Sequence, residues 1–267
     1  RQRQMCIRDR AYVDPKAQLG KDVTVHPFAY IDADTVIGDG CEIMPYASVI
    51  HGTTLGRNVK VYQGAIVGAD PQDFRWKGNP SYCTIGDNTV IREHVIINRG
   101  IYSQGGTEVG CDSFVMADSH IGHDTHVAPK CVIGNSVTIA GDVEIETGTI
   151  LSSSVVVHEK SRIGKFVLVK GGTRISGNVP PFVIMAHNPV TYYGVNSVVM
   201  CKHAGFTDSQ IDDVAKAYRQ IYQSQTSVFN ALKRIEADIA DTPVRAEIVD
   251  FIRAVNLKLA GDRFEAE

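Results

Sequence analysis

An aliphatic residue recurs at every sixth position through most of the chain, and no other feature limits the fold as strongly. Between residues 13 and 175 the series fails at only three positions, Asp73, Asn79 and Ser103. A period of six excludes an amphipathic α-helix, whose apolar residues repeat about every 3.6 positions. It is typical of a parallel β-helix, in which each hexapeptide forms a short strand and a bend, and three hexapeptides form one triangular coil.

Three histidines recur inside this repeat at a spacing of three residues: His120, His123 and His126. Residues one coil apart, roughly 18 positions, lie above one another in such a fold. Gly141 is therefore expected beside His123, and Asp142 beside Asp124. Because glycine has no Cβ, its backbone N–H can approach a ligand closely and can stabilise a developing oxyanion.

The spacing leaves three interpretations of the histidines open. His123 can act as a general base that the neighbouring Asp124 orients. The three side chains can instead hold zinc, if they converge on one ion. They can also be solvated surface residues. No Gly-x-Ser-x-Gly nucleophile motif is present, so the sequence gives no indication of a covalent serine intermediate.

Two segments interrupt the repeat. Residues 70–84 contain the only tryptophan, together with Gln72, Asp73, Arg75 and Lys77. A loop that leaves a regular solenoid is a common place for binding residues, and the alternative is that it packs against a neighbouring subunit. Residues 101–108 contain Gly105 and Gly106, which favours a flexible flap.

A basic segment lies near the end of the repeat. Residues 157–174 carry one acid, Glu159, and five cations, which are Lys160, Arg162, Lys165, Lys170 and Arg174. We interpret the segment either as a docking patch for an acidic partner or as a solvated rim. Gly171 and Gly172 leave any groove beside it unblocked.

The repeat divides the chain into segments. We predict a disordered or foreign tail over 1–10, a hexapeptide β-helix over 11–181, a connector over 182–206 and a helical domain over 207–267. Such a domain would cover the open end of the solenoid.

Sequence signals place the helices of that last domain. Thr207 and Gln210 have the spacing of a capping box, which begins the first helix. A second helix is expected over about 226–239. Pro243 at the first position of a third helix predicts a helix that continues to about Ala260.

Composition narrows the class of protein. The net charge of −3 gives no reason to expect nucleic acid as a partner. The six cysteines are scattered without a Cys-x-x-Cys pair, as expected for reduced packing thiols in a cytoplasmic protein. No apolar run approaches the roughly 18–20 residues of a membrane span and no signal-peptide pattern is present, so we expect no membrane span and a cytoplasmic location.

A set of short motifs points to one enzyme family. They are Pro71-Gln72-Asp73, Ile91-Arg92-Glu93, Asn98-Arg99-Gly100, His120-x-x-His123-Asp124, Gly134-Asn135, Ala140-Gly141, Val157-His158, Gly171-Gly172, Val179-Pro180-Pro181 and Gly194-Val195-Asn196. With these motifs, about residues 11–260 resemble the cytoplasmic acyl-carrier-protein:UDP-N-acetylglucosamine O-acyltransferases, the first enzymes of lipid A biosynthesis. The resemblance implies a left-handed parallel β-helix followed by a small α-helical domain.

The resemblance also implies an activity and an assembly. A 3-hydroxyacyl chain would pass from acyl carrier protein to the 3-hydroxyl of UDP-N-acetylglucosamine. The enzyme would be a homotrimer with active sites between the prisms. It would need no metal, and no cofactor beyond the phosphopantetheine of the carrier.

Individual residues receive roles from the same resemblance. His123 is similar to the general base, Asp124 to the residue that orients it, and Gly141 to the oxyanion donor. The positions that would contact the substrate sugar are Gln72, Asp73, Arg75, His120 and His158. Asn196 is similar to a nucleotide contact, and Gly171 to the position that limits acyl length. The five cations of the basic segment would bind the carrier protein.

The chain also departs from the family pattern. Glu159 and Lys160 stand where glutamine and an aromatic residue are usual, and Asp142 stands where many members have histidine. The basic run after the Gly-Val-Asn motif is reduced to Lys202 and His203. Altered contacts to the UDP phosphates are therefore expected.

Other functions fit parts of the pattern. One is another hexapeptide-repeat acyltransferase acting on a related nucleotide sugar, such as the later N-acyltransferase of the same pathway. A second is a γ-type carbonic anhydrase, which would hold a metal ion. A third is a non-catalytic scaffold, for which His123→Ala would change nothing in acyl transfer.

Overall fold

A computed structural model describes residues 6–102 and 104–261 of the chain. Its strands, numbered β1 to β28 along the chain, wind into three sheets that form the faces of a triangular prism, and four helices follow them. From β1 to β26, successive strands enter the first, second and third sheet in turn, so that each complete round is one coil. The predicted fold class, a mainly β hexapeptide solenoid with a small helical C-terminal domain, is confirmed.

Most strands contain two residues. The first sheet contains β1 Cys6–Ile7, β4 Thr24–Val25, β7 Glu42–Ile43, β10 Lys60–Val61, β13 Val90–Ile91, β16 Phe114–Val115, β19 Val132–Ile133, β22 Ile150–Leu151, β25 Leu168–Val169, β27 Val183–Ala186 and β28 Thr191–Val195. The second contains β2 Tyr12–Val13, β5 Tyr30–Ile31, β8 Ser48–Val49, β11 Ile66–Ala69, β14 Ile96–Asn98, β17 His120–Ile121, β20 Thr138–Ile139, β23 Val156–Val157 and β26 Arg174–Ile175. The third contains β3 Gln18–Leu19, β6 Val36–Ile37, β9 Thr53–Leu55, β12 Cys83–Ile85, β15 Thr107–Val109, β18 His126–Val127, β21 Glu144–Ile145 and β24 Arg162–Ile163.

The six-residue period follows from how the coils stack. The aliphatic residues point inward and form continuous buried columns, for example Ile121, Ile139 and Val157. Each such side chain contributes roughly 1.5–3 kcal/mol when fully buried. The small residues of the repeat bond to the next coil: the Ser119 hydroxyl donates to the Gly134 carbonyl at 2.7 Å, and the Thr125 hydroxyl to the Ala140 carbonyl at 2.9 Å.

Two insertions lengthen consecutive coils. Val67 pairs with Ile97 across the loop 70–82, and Ile97 pairs with Ile121 across the segment 99–106. Both insertions leave the prism where a strand of the second sheet is followed by a strand of the third. We call this line of turns the second–third edge, and we name the first–second and third–first edges in the same way.

The insertions explain why the repeat fails where it does. Asp73 and Asn79 belong to the loop 70–82, so their side chains do not have to fill the prism. Position 103 lies outside the described residues. The predicted interruption over residues 70–84 is therefore confirmed as a loop, which the structure places at residues 70–82.

The solenoid begins earlier than the sequence predicted. β1 pairs with β4, with Ile7 opposite Val25, and the Arg8 N–H donates to the Val25 carbonyl at 3.0 Å. The predicted disorder over residues 1–10 is therefore wrong for residues 6–10. The reason is that Ile7 lies six positions before Val13 and continues the aliphatic series. Residues 1–5 lie outside the described part of the chain.

The predicted connector 182–206 is also more ordered than expected. β27 continues the first sheet beside β25, and β28 folds back antiparallel to β27. A short helix, α1 Ser197–Ala204, follows at once. The solenoid therefore continues beyond Pro180 and Pro181 and ends in a hairpin.

Three further helices complete the fold: α2 Asp208–Tyr222, α3 Val228–Asp238 and α4 Pro243–Ala254. The capping box of Thr207 and Gln210 at the start of α2 is confirmed. The third predicted helix was too long, because α4 ends at Ala254. Asn256 and Leu257 there adopt left-handed φ angles of 53° and 63°, which no helix can include.

The helical domain packs on the last coil of the prism, as predicted. The buried Tyr218 hydroxyl donates to the Pro181 carbonyl at 2.6 Å. The Asn178 amide donates to the Lys258 carbonyl at 2.9 Å, and Asn178 forms a bridge with Leu259.

The described cysteines are all free. Cys41, Cys83 and Cys131 are buried in the prism, and desolvation raises the pKa of their thiols to about 11, 12 and 11 respectively. These are inert packing residues. Within the described residues, no helix has the length and apolar character needed to cross a bilayer.

Candidate active site

The second–third edge carries the predicted chemistry. His123 and Asp124 lie in the turn between β17 and β18, and Gly141 and Asp142 lie in the next turn along the edge, between β20 and β21. The Asp142 N–H donates to the His123 carbonyl at 3.0 Å, which fixes the stacking of the two turns. The predicted one-coil relation between these residues is therefore confirmed.

His123 is held by its neighbour. Its Nδ1 lies 2.9 Å from Asp124 Oδ2, and His123 is only 9% exposed. Asp124 is fixed in turn, because its Oδ2 accepts the Ile101 N–H at 2.9 Å and its own N–H donates to the Thr107 hydroxyl at 2.9 Å. This pairing selects the tautomer with hydrogen on Nδ1 and leaves the Nε2 lone pair available as a base.

Gly141 lies against the imidazole. A Cβ at this position would lie 2.3 Å from His123 Nε2, so a side chain here would displace the ring. The glycine therefore brings its backbone next to the basic nitrogen of His123. This is where a donor for a developing oxyanion is useful.

The loop 70–82 extends along the edge towards the later coils and covers His123. Asp73 Oδ2 lies 3.4 Å from His123 Nε2. Arg75 binds both oxygens of Asp73, at 3.0 and 2.9 Å, and these bonds hold the pKa of the Asp73 carboxyl well below its usual range. The same guanidinium lies 3.7 Å from Asp142. Gln72 is exposed beside it.

A buried arginine fixes the base of this loop. Arg99 is 1% exposed and donates to the Gly68 carbonyl, to the Asp70 carboxylate and to Ser81 Oγ. Its guanidinium lies 5.9 Å from the ring centre of Trp76. Sequence reasoning quoted Arg99 only within a motif and gave it no role. The available signal was a charged residue directly after the buried strand β14.

The three histidines do not converge. His120 lies on the second sheet, where desolvation and the nearby His123 lower the pKa of its imidazole. His126 lies on the third sheet, with its Nδ1 3.7 Å from Glu108. Among the described residues, the group that could hold a metal ion contains one histidine with two carboxylates: His123, Asp124 and Asp142. The geometry does not support a three-histidine zinc site.

Comparisons with known proteins agree with this geometry. A family model described as UDP-N-acetylglucosamine O-acyltransferase, domain 2, matches residues 178–259, and the bacterial transferase hexapeptide model matches residues 34–69 and 106–141. The acyl-[acyl-carrier-protein]–UDP-N-acetylglucosamine O-acyltransferase of Janthinobacterium sp. (strain Marseille) is 41% identical over 248 residues, which cover 92% of this chain and 94% of that protein. The protein of the same name from Stutzerimonas stutzeri is 39% identical over 93% of this chain and 96% of its own length. The chain belongs to the acyl-[acyl-carrier-protein]–UDP-N-acetylglucosamine O-acyltransferase family.

Solved structures of similar proteins extend the likeness to the whole fold. The UDP-N-acetylglucosamine acyltransferase of Bacteroides fragilis superposes with a TM-score of 0.88 at 39% identity, and the alignment covers 92% of this chain and 96% of that one. The enzyme of Francisella novicida gives a TM-score of 0.91 at 29% identity, over 97% and 95% of the two chains. Membership of the O-acyltransferase family argues against the carbonic anhydrase and scaffold alternatives.

The other predicted site residues are distributed over all three edges of the prism. His158 is at the second–third edge, one coil beyond the Gly141 turn, and its Nε2 accepts the Arg174 Nε–H at 2.9 Å. Gly171 lies at the first–second edge, where an added Cβ would be 3.1 Å from the Ser153 carbonyl oxygen. Asn196 is buried near the third–first edge, and its amide donates to the Phe166 carbonyl at 2.8 Å. One chain therefore does not bring Gly171 and Asn196 to His123.

The five cations of the basic segment do not share a face. Arg162 pairs with Glu146 at 2.7 Å, and Lys165 pairs with Glu247 of α4 at 2.7 Å. The Lys170 ammonium lies 3.2 Å from the centre of the Tyr193 ring. Arg174 binds His158, as described above, and Lys160 is exposed at the second–third edge. In one chain these five residues therefore lie at several places around the prism, and their role as a docking patch stays a prediction.

Proposed function

We propose that this chain transfers a 3-hydroxyacyl group from the thioester of acyl carrier protein to the 3-hydroxyl of UDP-N-acetylglucosamine, the first step of lipid A biosynthesis. The observation that carries the proposal is the His123–Asp124 pair with Gly141 packed against its basic nitrogen. A base next to a backbone donor is what acyl transfer from a thioester requires. Family membership independently supports the same substrates.

His123 acts as the general base in this mechanism. Its Nε2 takes the proton of the sugar 3-hydroxyl as the oxygen attacks the thioester carbonyl. The Gly141 N–H donates to the oxyanion of the tetrahedral intermediate. When the intermediate collapses, the C–S bond breaks, and the leaving thiolate takes the proton from the imidazolium. Asp124 holds the ring and stabilises its charged form throughout. No covalent enzyme intermediate, metal or cofactor enters these steps.

We assign substrate contacts to the residues around this pair. Gln72, Asp73 and Arg75 lie on the loop that covers His123, and His120 and His158 lie on either side of it along the second sheet and its edge. Their polar side chains suit the hydroxyl and amide groups of the sugar. We also assign Asn196 as a nucleotide contact, and its side-chain orientation is set by the bond that its amide donates to the Phe166 carbonyl.

We infer that the active enzyme is a homotrimer. His123 and Gly171 lie on different edges of one prism, so a groove that uses both residues needs a second copy of the chain. Closed cyclic symmetry is the common way for identical chains to form such heterologous contacts.

We propose that the carrier protein binds beside Lys160 and Arg174. These cations lie at or next to the second–third edge, whereas Arg162 and Lys165 already pair with carboxylates of this chain. Acyl carrier protein is cytoplasmic in the reaction we propose, and we place this enzyme in the same compartment. Its buried free thiols are compatible with a reducing environment.

Acyl transfer from a panel of 3-hydroxyacyl carrier proteins to UDP-N-acetylglucosamine tests the proposal. We expect product with the wild type, and a loss in kcat of about 10²-fold or more for His123→Ala, the usual size of general-base catalysis. His126→Ala is the matched control, because this histidine lies on the third sheet. Near wild-type turnover in His123→Ala would refute the mechanism, and absence of product from the wild type would refute the activity.

A further inference from the structure

We propose that Asp142 is a positioning residue for this reaction, which holds Arg75 and, through it, Asp73 and the loop 70–82 over His123. The contact between Arg75 and Asp142 spans three coils of the prism, because the loop leaves the second–third edge three turns before Asp142. We call the three residues the Asp73–Arg75–Asp142 bridge. The proposal deepens the acyl transfer proposed above and rests on it.

The distances show how the bridge is organised. Arg75 makes two short bonds to Asp73 and a longer contact of 3.7 Å to Asp142. The Asp73–Arg75 pair does not by itself hold the loop on the prism, because both partners belong to the loop. Asp73 contacts the prism at His123 Nε2, 3.4 Å away. Asp142 is the group on the prism that the guanidinium reaches. The second contact therefore converts an ion pair within the loop into a connection between the loop and the catalytic edge.

Asp142 also lies close to the catalytic pair. Ligand atoms of His123, Asp124 and Asp142 lie within 4.8 Å of one another. The Arg75 guanidinium contacts the carboxylates of both Asp73 and Asp142, at 2.9 and 3.7 Å. We therefore expect Asp142 to act on the loop through Arg75. A neutral histidine at this position could not make the same ion pair.

The loop contains its own probe. Trp76 is the only tryptophan of the chain, and its indole N–H donates to the Asn79 carbonyl at 3.0 Å. Its emission and its quenching by acrylamide therefore report on the loop 70–82 alone. This readout does not depend on catalysis.

The decisive variant is Asp142→Asn. Asparagine tolerates the left-handed turn that Asp142 adopts, with φ 59°, and it removes the negative charge while keeping the size of the side chain. We expect the KM for UDP-N-acetylglucosamine to rise about three- to five-fold, the range that the coupling of a half-exposed ion pair supports. We expect kcat to stay within about two-fold and Trp76 to become easier to quench. In an Arg75→Gln background, Asp142→Asn should add nothing further, because the two act as one unit.

Asp34→Asn is the matched control. Asp34 lies at the same edge in an equivalent left-handed turn, with φ 53°, in a coil far from His123. It should change neither the KM nor the quenching of Trp76.

Two results would contradict the proposed role of Asp142, and a third would contradict the proposed activity. If Asp142→Asn lowers kcat, shifts the acidic limb of the pH profile and adds to Arg75→Gln, then Asp142 acts directly on His123. If KM and Trp76 quenching are both unchanged, the bridge does not position the loop. If the wild type gives no acyl product, the proposed activity fails, and the quenching series still decides whether Asp142 holds the loop.

Discussion

The reaction depends on the absence of a Cβ atom at Gly141. We predict that Gly141→Ala lowers kcat about 10²-fold, because the new Cβ would lie 2.3 Å from the imidazole and misplacement of a reacting group by about 1 Å costs that much. Steady-state kinetics and the thermal midpoint should be measured together.

The control for this substitution is Gly177→Ala. An added Cβ there meets its nearest neighbour at 3.5 Å, which is ordinary contact. Turnover should therefore stay near the wild-type value. A fully active Gly141→Ala enzyme would show that the imidazole has room to move.

His120 gives a prediction about pH. Desolvation, with a smaller contribution from His123, lowers the pKa of His120 from its ordinary value of 6.5. Below about pH 6.5 the unfolded chain binds a proton that the folded chain refuses, so the contribution of His120 to stability is lost as the pH falls towards its lower folded pKa. The thermal midpoint of the wild type should decrease between about pH 7 and pH 5, and we expect this decrease to be smaller in His120→Gln.

His126→Gln should leave this dependence unchanged, since the exposed His126 lies on another sheet. A midpoint whose pH dependence is the same in all three proteins would mean that His120 is not the group responsible. Thermal unfolding followed by circular dichroism is sufficient for the comparison.

For individual residues, the six-residue period predicted correctly which side chains stack on one another. Gly141 and Asp142 were placed beside His123 and Asp124 because the coils between them have no insertion. The contact of Asp73 with His123 could not be predicted, because a loop of 13 residues has no period that fixes where its side chains fall.

Among the structural elements, the loop 70–82 depends most on one residue outside it. We predict that Arg99→Met destabilises the protein by about 2–4 kcal/mol, because the Gly68 carbonyl would lose a charged donor inside the prism. The thermal midpoint should fall, and Trp76 should become more accessible to acrylamide.

Arg92→Met is the matched control for this variant. Arg92 is half-exposed and pairs with its neighbour Glu93, so little stability should be lost. Equal effects of the two substitutions would mean that Arg99 has no special role at the base of the loop.

The element boundaries failed for two physical reasons. At the start, the arginines of residues 1–10 suggested a solvated tail, but Ile7 continues the aliphatic series and pairs with Val25, while Arg8 stays exposed. At the end, Pro180 and Pro181 were taken to stop the repeat, although proline is acceptable in a turn and β27 resumes two residues later. Composition therefore predicted which residues are exposed, but it did not predict where the strands begin and end.

For the whole molecule, the distribution of the site over several edges predicts shared active sites. Gly171→Met should shorten the acyl chain that is accepted, and His123→Ala should slow transfer about 10²-fold or more. Mixed assemblies of the two variants, isolated through two different tags, should recover transfer of the acyl chain that the wild type prefers. The reason is that some sites then combine an intact His123 with an intact Gly171 from another chain.

Assemblies of each variant alone serve as controls, and light scattering gives the number of chains. If mixed assemblies transfer only the shorter chain, then His123 and Gly171 of one chain serve the same site. That result would contradict the trimeric groove.

The even stacking of the coils has a consequence for how such a protein can acquire a new selectivity. Positions along an edge are separated by a fixed step of about 4.8 Å, so a whole coil can be added or removed only as one unit. A change in coil number between the turn of His123 and the turn of Gly171 would move the end of the groove by several methylene lengths at once. Smaller changes in the accepted acyl-chain length would then depend on the side chain at a single position of the groove.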